Sequence, residues 1–300
     1  MSDISRRDLI KGAVASVAAA GIAGTALVPA NVRAADDDPA WKIKNGRITQ
    51  SVIHWCFNPM EVETLATASA AMGIKSVELI APDKWPILKK LGLTCAIAGS
   101  HGFLKGFNHV ENHEMCIDKI KKSVDASAEF GCPSVITFSG MREKISDEEG
   151  LKNTIDGIKK VIGYCEEKKI NLCIEMLNSK VNVEMKGHPG YMCDNLPFAM
   201  EVCKKVGSPR MKILFDIYHV QIMHGDLIAR IKECKDFIGH IHTAGNPGRN
   251  EIDETQEINY PPIMKALLEV GYTGFVGQEF IPKREDKIAS LRQAAKLCDV

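Results

Sequence analysis

Asn171-Leu172-Cys173-Ile174-Glu175-Met176-Leu177-Asn178 reads as a buried strand with one residue out of place. Its Leu, Cys, Ile and Met residues form the continuous apolar run of a strand covered on both faces, as in parallel sheets. Glu175 stands inside that run. A carboxylate taken out of water is costly unless it pairs, accepts hydrogen bonds, changes protonation or binds a cation. Its partner has to come from elsewhere in the chain.

Outward from 171–177, short runs rich in Val, Ile and Phe recur at 51–57, 76–81, 94–99, 134–140, 212–219, 238–244 and 273–280. Segments of helical period separate them. Residues 111–130 place Met115, Ile117, Ile120, Val124 and Ala128 near helical spacing, and 151–168 and 284–298 do likewise. Gly131-Cys132-Pro133 and Gly207-Ser208-Pro209 are helix stops set directly before strands. Alternating strands and helices with near-continuous apolar strands imply a parallel sheet covered by helices. Eight repeats running to the C-terminus favour a closed (β/α)8 TIM barrel over an open doubly wound sheet, and no GxGxxG turn follows the first strand. The expected organisation is an export signal over 1–34, a flexible mature N-terminus over 35–46, and a single α/β barrel over 47–300.

Composition agrees with that scale. A chain of 300 residues, 45% hydrophobic and 25% charged, has ample material for one large core. Its 38 basic and 38 acidic residues balance, and the body has no basic run, which argues against nucleic acid as a partner. The N-terminus differs. Ser5-Arg6-Arg7-Asp8-Leu9-Ile10-Lys11, the apolar Gly12–Val28 stretch and small residues around Ala34-Ala35 resemble a twin-arginine export signal. The export machinery is then a partner, cleavage falls after Ala34 or Ala35, and the mature protein is periplasmic or extracellular. The alternative is an uncleaved membrane anchor, Gly12–Val28 being near the lower length limit for spanning. Losing residues 1–34 removes Arg6, Arg7, Lys11 and Arg33 against Asp3 and Asp8, leaving 34 basic and 36 acidic residues. The ten cysteines are scattered without CxxC spacing, several within apolar runs (Cys56, Cys95, Cys173). They read as buried free thiols, which suits a protein that folds before export.

In such barrels catalytic groups gather at the C-terminal strand ends. There the sequence places Glu175, Asp216 in FDIYH, His242 in HIHTAG and Glu279 in GQEF, separated by 41, 26 and 37 residues, each about one strand–helix unit. Three carboxylates and an imidazole sharing one mouth repel one another without a cation. An oxygen-rich set with one nitrogen favours Mn²⁺ or Mg²⁺, with Co²⁺ or Zn²⁺ compatible. Each residue alone has a plainer reading: Asp216 as a helix cap, and His240, two positions before His242, as a core or outer-partner histidine. His54, Trp55, His101, Phe103 and Phe107, near the ends of strands one and three, are candidate pocket residues, although Trp55 and Phe57 equally suit barrel packing.

The segments Ile174-Glu175-Met176-Leu177-Asn178, Phe215-Asp216-Ile217-Tyr218-His219, His240-Ile241-His242-Thr243-Ala244-Gly245, Ile258-Asn259-Tyr260-Pro261 and Gly277-Gln278-Glu279-Phe280 together resemble the xylose-isomerase-like barrels. Within these, the chain is most similar to the hydroxypyruvate isomerase family, through Ala244-Gly245-Asn246-Pro247-Gly248-Arg249-Asn250-Glu251 above all, and the likeness runs from about Gln50 to the end. The resemblance implies one divalent ion held by Glu175, Asp216, His242 and Glu279, with Glu175 and Glu279 also serving as the acid–base pair. It implies substrate contacts from His219 and Arg249, a solvated loop position being the other reading of Arg249. In one respect the chain departs: hydroxypyruvate isomerases tend to carry glutamine where it has His242, and ketose 3-epimerases carry histidine.

The expected chemistry is proton transfer between adjacent carbons through a cis-enediolate, the metal acidifying the C–H beside a chelated carbonyl. Hydroxypyruvate would give tartronate semialdehyde. Alternatives are a ketose or keto-glycoside epimerase or isomerase, a lyase using the same enediolate, and an exported binding protein on an inactive barrel. The partner is a small hydroxy-keto acid or sugar; a homo-oligomer is left open.

Overall fold

The computed structural model describes residues 38–300. Seven strands make one wholly parallel sheet: β1 (Thr49–Ile53), β2 (Ser76–Glu78), β3 (Ser134–Thr137), β4 (Asn171–Glu175), β5 (Met211–Asp216), β6 (Ile238–Thr243) and β7 (Phe275–Gln278). Their order is β2-β1-β7-β6-β5-β4-β3. The eighth expected strand, 94–99, is not a regular strand. It still closes the curl, because Thr94 bridges Ser76 of β2 and Ala98 bridges Val135 of β3, both in parallel. The reason for its irregularity is local: the Ser76 hydroxyl takes the Ala96 amide at 2.8 Å, drawing that N–H out of the backbone ladder.

Other strands are shorter than their apolar runs. The run 51–57 stops as β1 at Ile53 and passes into a 3-10 turn over His54–Phe57, and the run 212–219 ends as β5 at Asp216, where the helix Ile217–Met223 begins. Helices cover the outside. His113–Phe130 buries Cys116, Ile120, Val124 and Ser127 along one stripe and ends at Gly131, whose φ of 90° is the left-handed conformation a C-terminal glycine supplies. The expected single helix over 151–168 is two, Asp147–Lys159 and Ile162–Glu167. The C-terminal helix is Lys287–Cys298.

The main core lies between the barrel and its helices. Inside the barrel a small apolar layer of Ile97, Ile136, Cys173 and Leu214 is fully or almost fully buried. Because strand side chains alternate between faces, Glu175 and Asp216, two residues beyond Cys173 and Leu214, also point inward. The register pairs Leu214 with His240 and Asp216 with His242 across β5 and β6. The apolar layer thus becomes the floor beneath a polar one, as the layered interior of such barrels allows.

Within the stretch 35–46 expected to be flexible, residues 41–46 are anchored. Trp41 is buried, and the amides of Lys44, Asn45 and Gly46 donate to the Asp299 carboxylate at 2.7–3.1 Å. All ten cysteines are free and buried. No helix among the described residues is long and apolar enough to cross a membrane. The export signal expected over 1–34 lies outside the described residues.

Candidate metal and catalytic site

Four side chains meet at the C-terminal ends of β4 to β7. Glu175 closes β4, Asp216 closes β5, His242 is the penultimate residue of β6, and Glu279 follows β7 directly. None is more than 5% exposed. One ligating atom from each lies within 4.8 Å of the others, an arrangement able to hold a metal ion. Three polar atoms of this cluster, Glu175 Oε1, Asp216 Oδ2 and His242 Nδ1, are buried without an aligned hydrogen bond, His242 Nδ1 lying in ion-pair range of Glu279 Oε2 at 3.0 Å. Buried polar atoms are normally satisfied, so three orphans facing one another suit a site built for a cation. Asp216 serves as a cap as well: its Oδ1 accepts from the His219 amide at 3.1 Å while Oδ2 faces the cluster. Two oxygens let one residue do both.

Electrostatics point the same way. Burial, with the charge of Glu279, pushes Asp216 well above the usual carboxylate range. Burial raises Glu175 as well, against the opposing pull of His242. Burial also opposes ionisation of Glu279, but Arg249 and His242 outweigh it and hold Glu279 well below its ordinary value. Burial alone would depress His242, yet Glu279, Glu175 and Glu78 hold its imidazolium well above the usual range. Without an added positive charge, the cluster stays neutral enough only by keeping protons on some carboxyls and on the imidazole.

Arg249 is no solvated loop residue. It is 3% exposed, donates from Nη2 to Glu279 Oε2 at 2.7 Å and from Nη1 to the Met185 carbonyl at 2.8 Å, and lies over the rings of Trp55 and Tyr218. Its φ of 58° is left-handed, a conformation a non-glycine residue keeps only when its surroundings enforce it. His219 is fully buried. Its Nδ1 accepts from the Asn178 backbone amide at 3.1 Å, which leaves the proton on Nε2, 3.6 Å from Asp216 Oδ2. Burial and the charge of Arg249 hold it neutral.

Above the cluster opens a cavity of about 360 Å³ whose floor includes Glu175 and Glu279, with Trp55, Phe103, Phe138 and His188 on its walls. Of the expected pocket residues, Trp55, His101 and Phe103 line it. His101 is pinned, with Nε2 at 2.8 Å from Thr137 Oγ1 and Nδ1 against the carbonyls of Gly102 and Lys105. The structure does not bring His54 to the site: its Nε2 bonds the Met60 carbonyl at 2.7 Å, bracing the turn after β1. Phe107 packs beneath His101, and Phe57 against Phe280. His240 sits below the cluster, its Nε2 at 2.9 Å from Glu78 Oε1. Glu78, His188 and Phe138 were not singled out from the sequence. For Glu78 the signal was present, since SVELIA puts a carboxylate into an apolar run as NLCIEMLN does.

This architecture is that of a barrel enzyme with an acid-rich, metal-capable centre at its mouth. A family model described as "Xylose isomerase-like TIM barrel" matches residues 67–298, and the chain belongs to that family. A 2-oxo-tetronate isomerase from Pectobacterium atrosepticum is 30% identical over 232 residues, 72% of this chain and 85% of that protein. A Homo sapiens protein named "Putative hydroxypyruvate isomerase" is 26% identical over 226 residues, 74% of this chain and 75% of its own length. Among solved structures, a family 2 AP endonuclease from Brucella melitensis superposes with a TM-score of 0.72 at 23% identity, covering 83% of this chain and 99% of that one. The 3-keto-D-glucoside 4-epimerase of E. coli gives 0.69 at 18%, covering 83% and 98%; at these identities the likeness is one of fold. The chain is an isomerase of the hydroxypyruvate isomerase-like kind.

Proposed function

We propose that this protein is a divalent-metal-dependent isomerase of α-hydroxy-carbonyl compounds, moving a proton between adjacent carbons through a cis-enediolate, with hydroxypyruvate to tartronate semialdehyde as its reaction. The observation that carries this reading is the set of three orphaned ligand atoms, on Glu175, Asp216 and His242, converging with Glu279 within 4.8 Å. These four residues would hold the ion. The carboxylate-rich set suits Mn²⁺ or Mg²⁺, and Co²⁺ or Zn²⁺ also fit it. Bound there, a divalent ion supplies Lewis acidity toward a carbonyl oxygen and its neighbouring hydroxyl.

The chain's own groups do the proton work. Glu279 is held ionised by Arg249 and is the better base, whereas burial makes Glu175 the better proton carrier. Both reach the cavity floor, so one can take a proton from one carbon and the other return it at the next. Neutral His219 offers Nε2–H to a substrate oxygen. Arg249, already desolvated and held in place by Glu279 and the Met185 carbonyl, would bind the substrate carboxylate through its remaining N–H donors.

A second reading has its own support. A cavity of about 360 Å³ with an aromatic wall exceeds the needs of a three-carbon acid and suits a ketose or keto-glycoside, as does His242 in place of glutamine. Solvent-deuterium exchange followed by NMR, with hydroxypyruvate and a panel of ketoses in Mn²⁺ or Mg²⁺, tests both. Exchange beside the carbonyl, abolished by chelation, supports enolisation, and the responding compound decides the substrate. No exchange with any of them, in protein that retains its ion, contradicts the isomerase reading. Export through the twin-arginine route is proposed with it; fractionation of cells expressing the full chain is the check, and cytoplasmic retention would refute it.

A further inference from the structure

Among the described residues Glu78 is a fully buried carboxylate that the proposed chemistry does not use. It starts from β2 yet touches β6, two strands beyond its neighbour β1 in the sheet. The passage exists because β7 has glycine at 277, where a Cβ would fall 2.4 Å from Glu78 Oε1 and 3.0 Å from His242 Cδ2. Any other residue there would push the carboxylate away from the histidines.

Through this gap Glu78 Oε1 meets His240 Nε2 at 2.9 Å and His242 Nε2 at 2.9 Å. An ionised carboxylate only accepts, so both nitrogens are N–H donors. For His242 the consequence is specific. With Nε2 occupied from below, the ring's other nitrogen, Nδ1, faces the cluster, 3.0 Å from Glu279 Oε2 and 3.8 Å from Glu175 Oε1. The same three residues, Glu78, His240 and His242, lie close enough to ligate an ion themselves. An ion there would take the Nε2 lone pair of His242, whereas two N–H donors to one oxygen account for both contacts with no added group.

We infer that Glu78 is a positioning residue: it fixes the tautomer and ring orientation of His242 so that Nδ1 is the atom offered to the metal. His240 shares the carboxylate and holds it in place. The inference rests on the metal reading of the cluster. Outer partners of this kind are worth about 10–100-fold in metal affinity.

The test uses the chelator-stripped full chain, titrated with Co²⁺ by calorimetry and visible absorption, as wild type and as Glu78→Gln, which keeps shape and an acceptor oxygen but loses the charge. Co²⁺ affinity lower by about 10–100-fold with an altered visible spectrum is expected, while thermal unfolding in chelator stays close to wild type. Unchanged affinity and spectrum would overturn the inference. A second measurement needs no variant: in ¹⁵N-histidine-labelled wild type loaded with Zn²⁺, His242 should keep its proton on Nε2 and show the metal-induced shift on Nδ1. The reverse assignment overturns the inference even if Glu78→Gln fails to fold. If the wild type binds neither ion, the metal reading itself falls and this inference with it, a result distinct from tight binding that Glu78→Gln leaves unaltered.

Discussion

The two halves of the barrel mouth are built from different material. Strands β4 to β7 lead into Glu175, Asp216, His242 and Glu279, all nearly inaccessible, and three of them turn one polar atom without an aligned hydrogen bond into the cluster. The half made by β1 to β3 and the 94–98 segment presents Trp55, Leu79, Phe103 and Phe138, and its one buried histidine at the cavity, His101, has both ring nitrogens occupied. The first half stores unsatisfied polar atoms, which is costly to the folded state and useful only to a ligand. The other presents an apolar wall to the cavity, with its histidine pinned. The contrast separates chemistry from substrate fit: changes on β4–β7 should act on turnover and ion binding, and changes on the wall should act on KM or on stability.

The largest expected effect is at Glu279. Glu279→Gln should lower kcat by on the order of 10³-fold, the range of a lost acid–base group, with KM little changed. Steady-state kinetics with saturating Mn²⁺ would measure it, and activity near wild type would break the division between halves.

Acid should expose the wall. Burial holds the pKa of His101 at about 4, below its ordinary 6.5. A histidine depressed in the folded state binds its proton more weakly there than in the unfolded chain. Its stabilising contribution is therefore complete above pH 6.5 and lost as pH falls toward 4, by roughly 3 kcal/mol at most. Urea unfolding in chelator across that window should show the loss, and His101→Gln should reduce it, the part due to buried His188 and His219 remaining. A His101→Gln curve as steep as wild type would place the acid sensitivity elsewhere.

Arg249 spans the halves, touching Glu279 on one side and the Trp55 ring on the other. Arg249→Lys keeps the charge but loses the planar fork, and should raise KM by about tenfold or more with a smaller effect on kcat. The smallest effect is expected from Phe103→Ala, a KM increase of roughly fivefold for loss of part of the apolar wall, kcat being nearly unchanged. A large kcat effect from Phe103→Ala would show that the wall takes part in the chemistry.

Much of this arrangement is legible in the sequence, for a physical reason. Carboxylates at the ends of apolar strands violate the pattern around them, and four such violations spaced one strand–helix unit apart define a ring. The fold and the cluster of strand-end side chains follow from that. Other features depend on contacts that spacing does not encode. The segment 94–99 has a strand's composition, but the Ser76 hydroxyl diverts the Ala96 amide. The anchoring of residues 44–46 depends on Asp299, more than 250 positions away. His54 looks like a pocket residue because it follows β1, yet it turns back to the Met60 carbonyl. Glu78 violates the apolar pattern as plainly as Glu175. What hides its role is depth: only Gly277, on another strand, lets it pass under the site to His242.

The most direct measurement is the ion content of the purified full chain after loading with Mn²⁺ and removal of excess, by elemental analysis, for wild type and for Asp216→Ala. One ion per chain in the wild type, lost in Asp216→Ala, is the expected result. An ion content that the substitution leaves unchanged, or no bound ion in folded wild type, would contradict the assignment of the four strand-end residues as a metal centre.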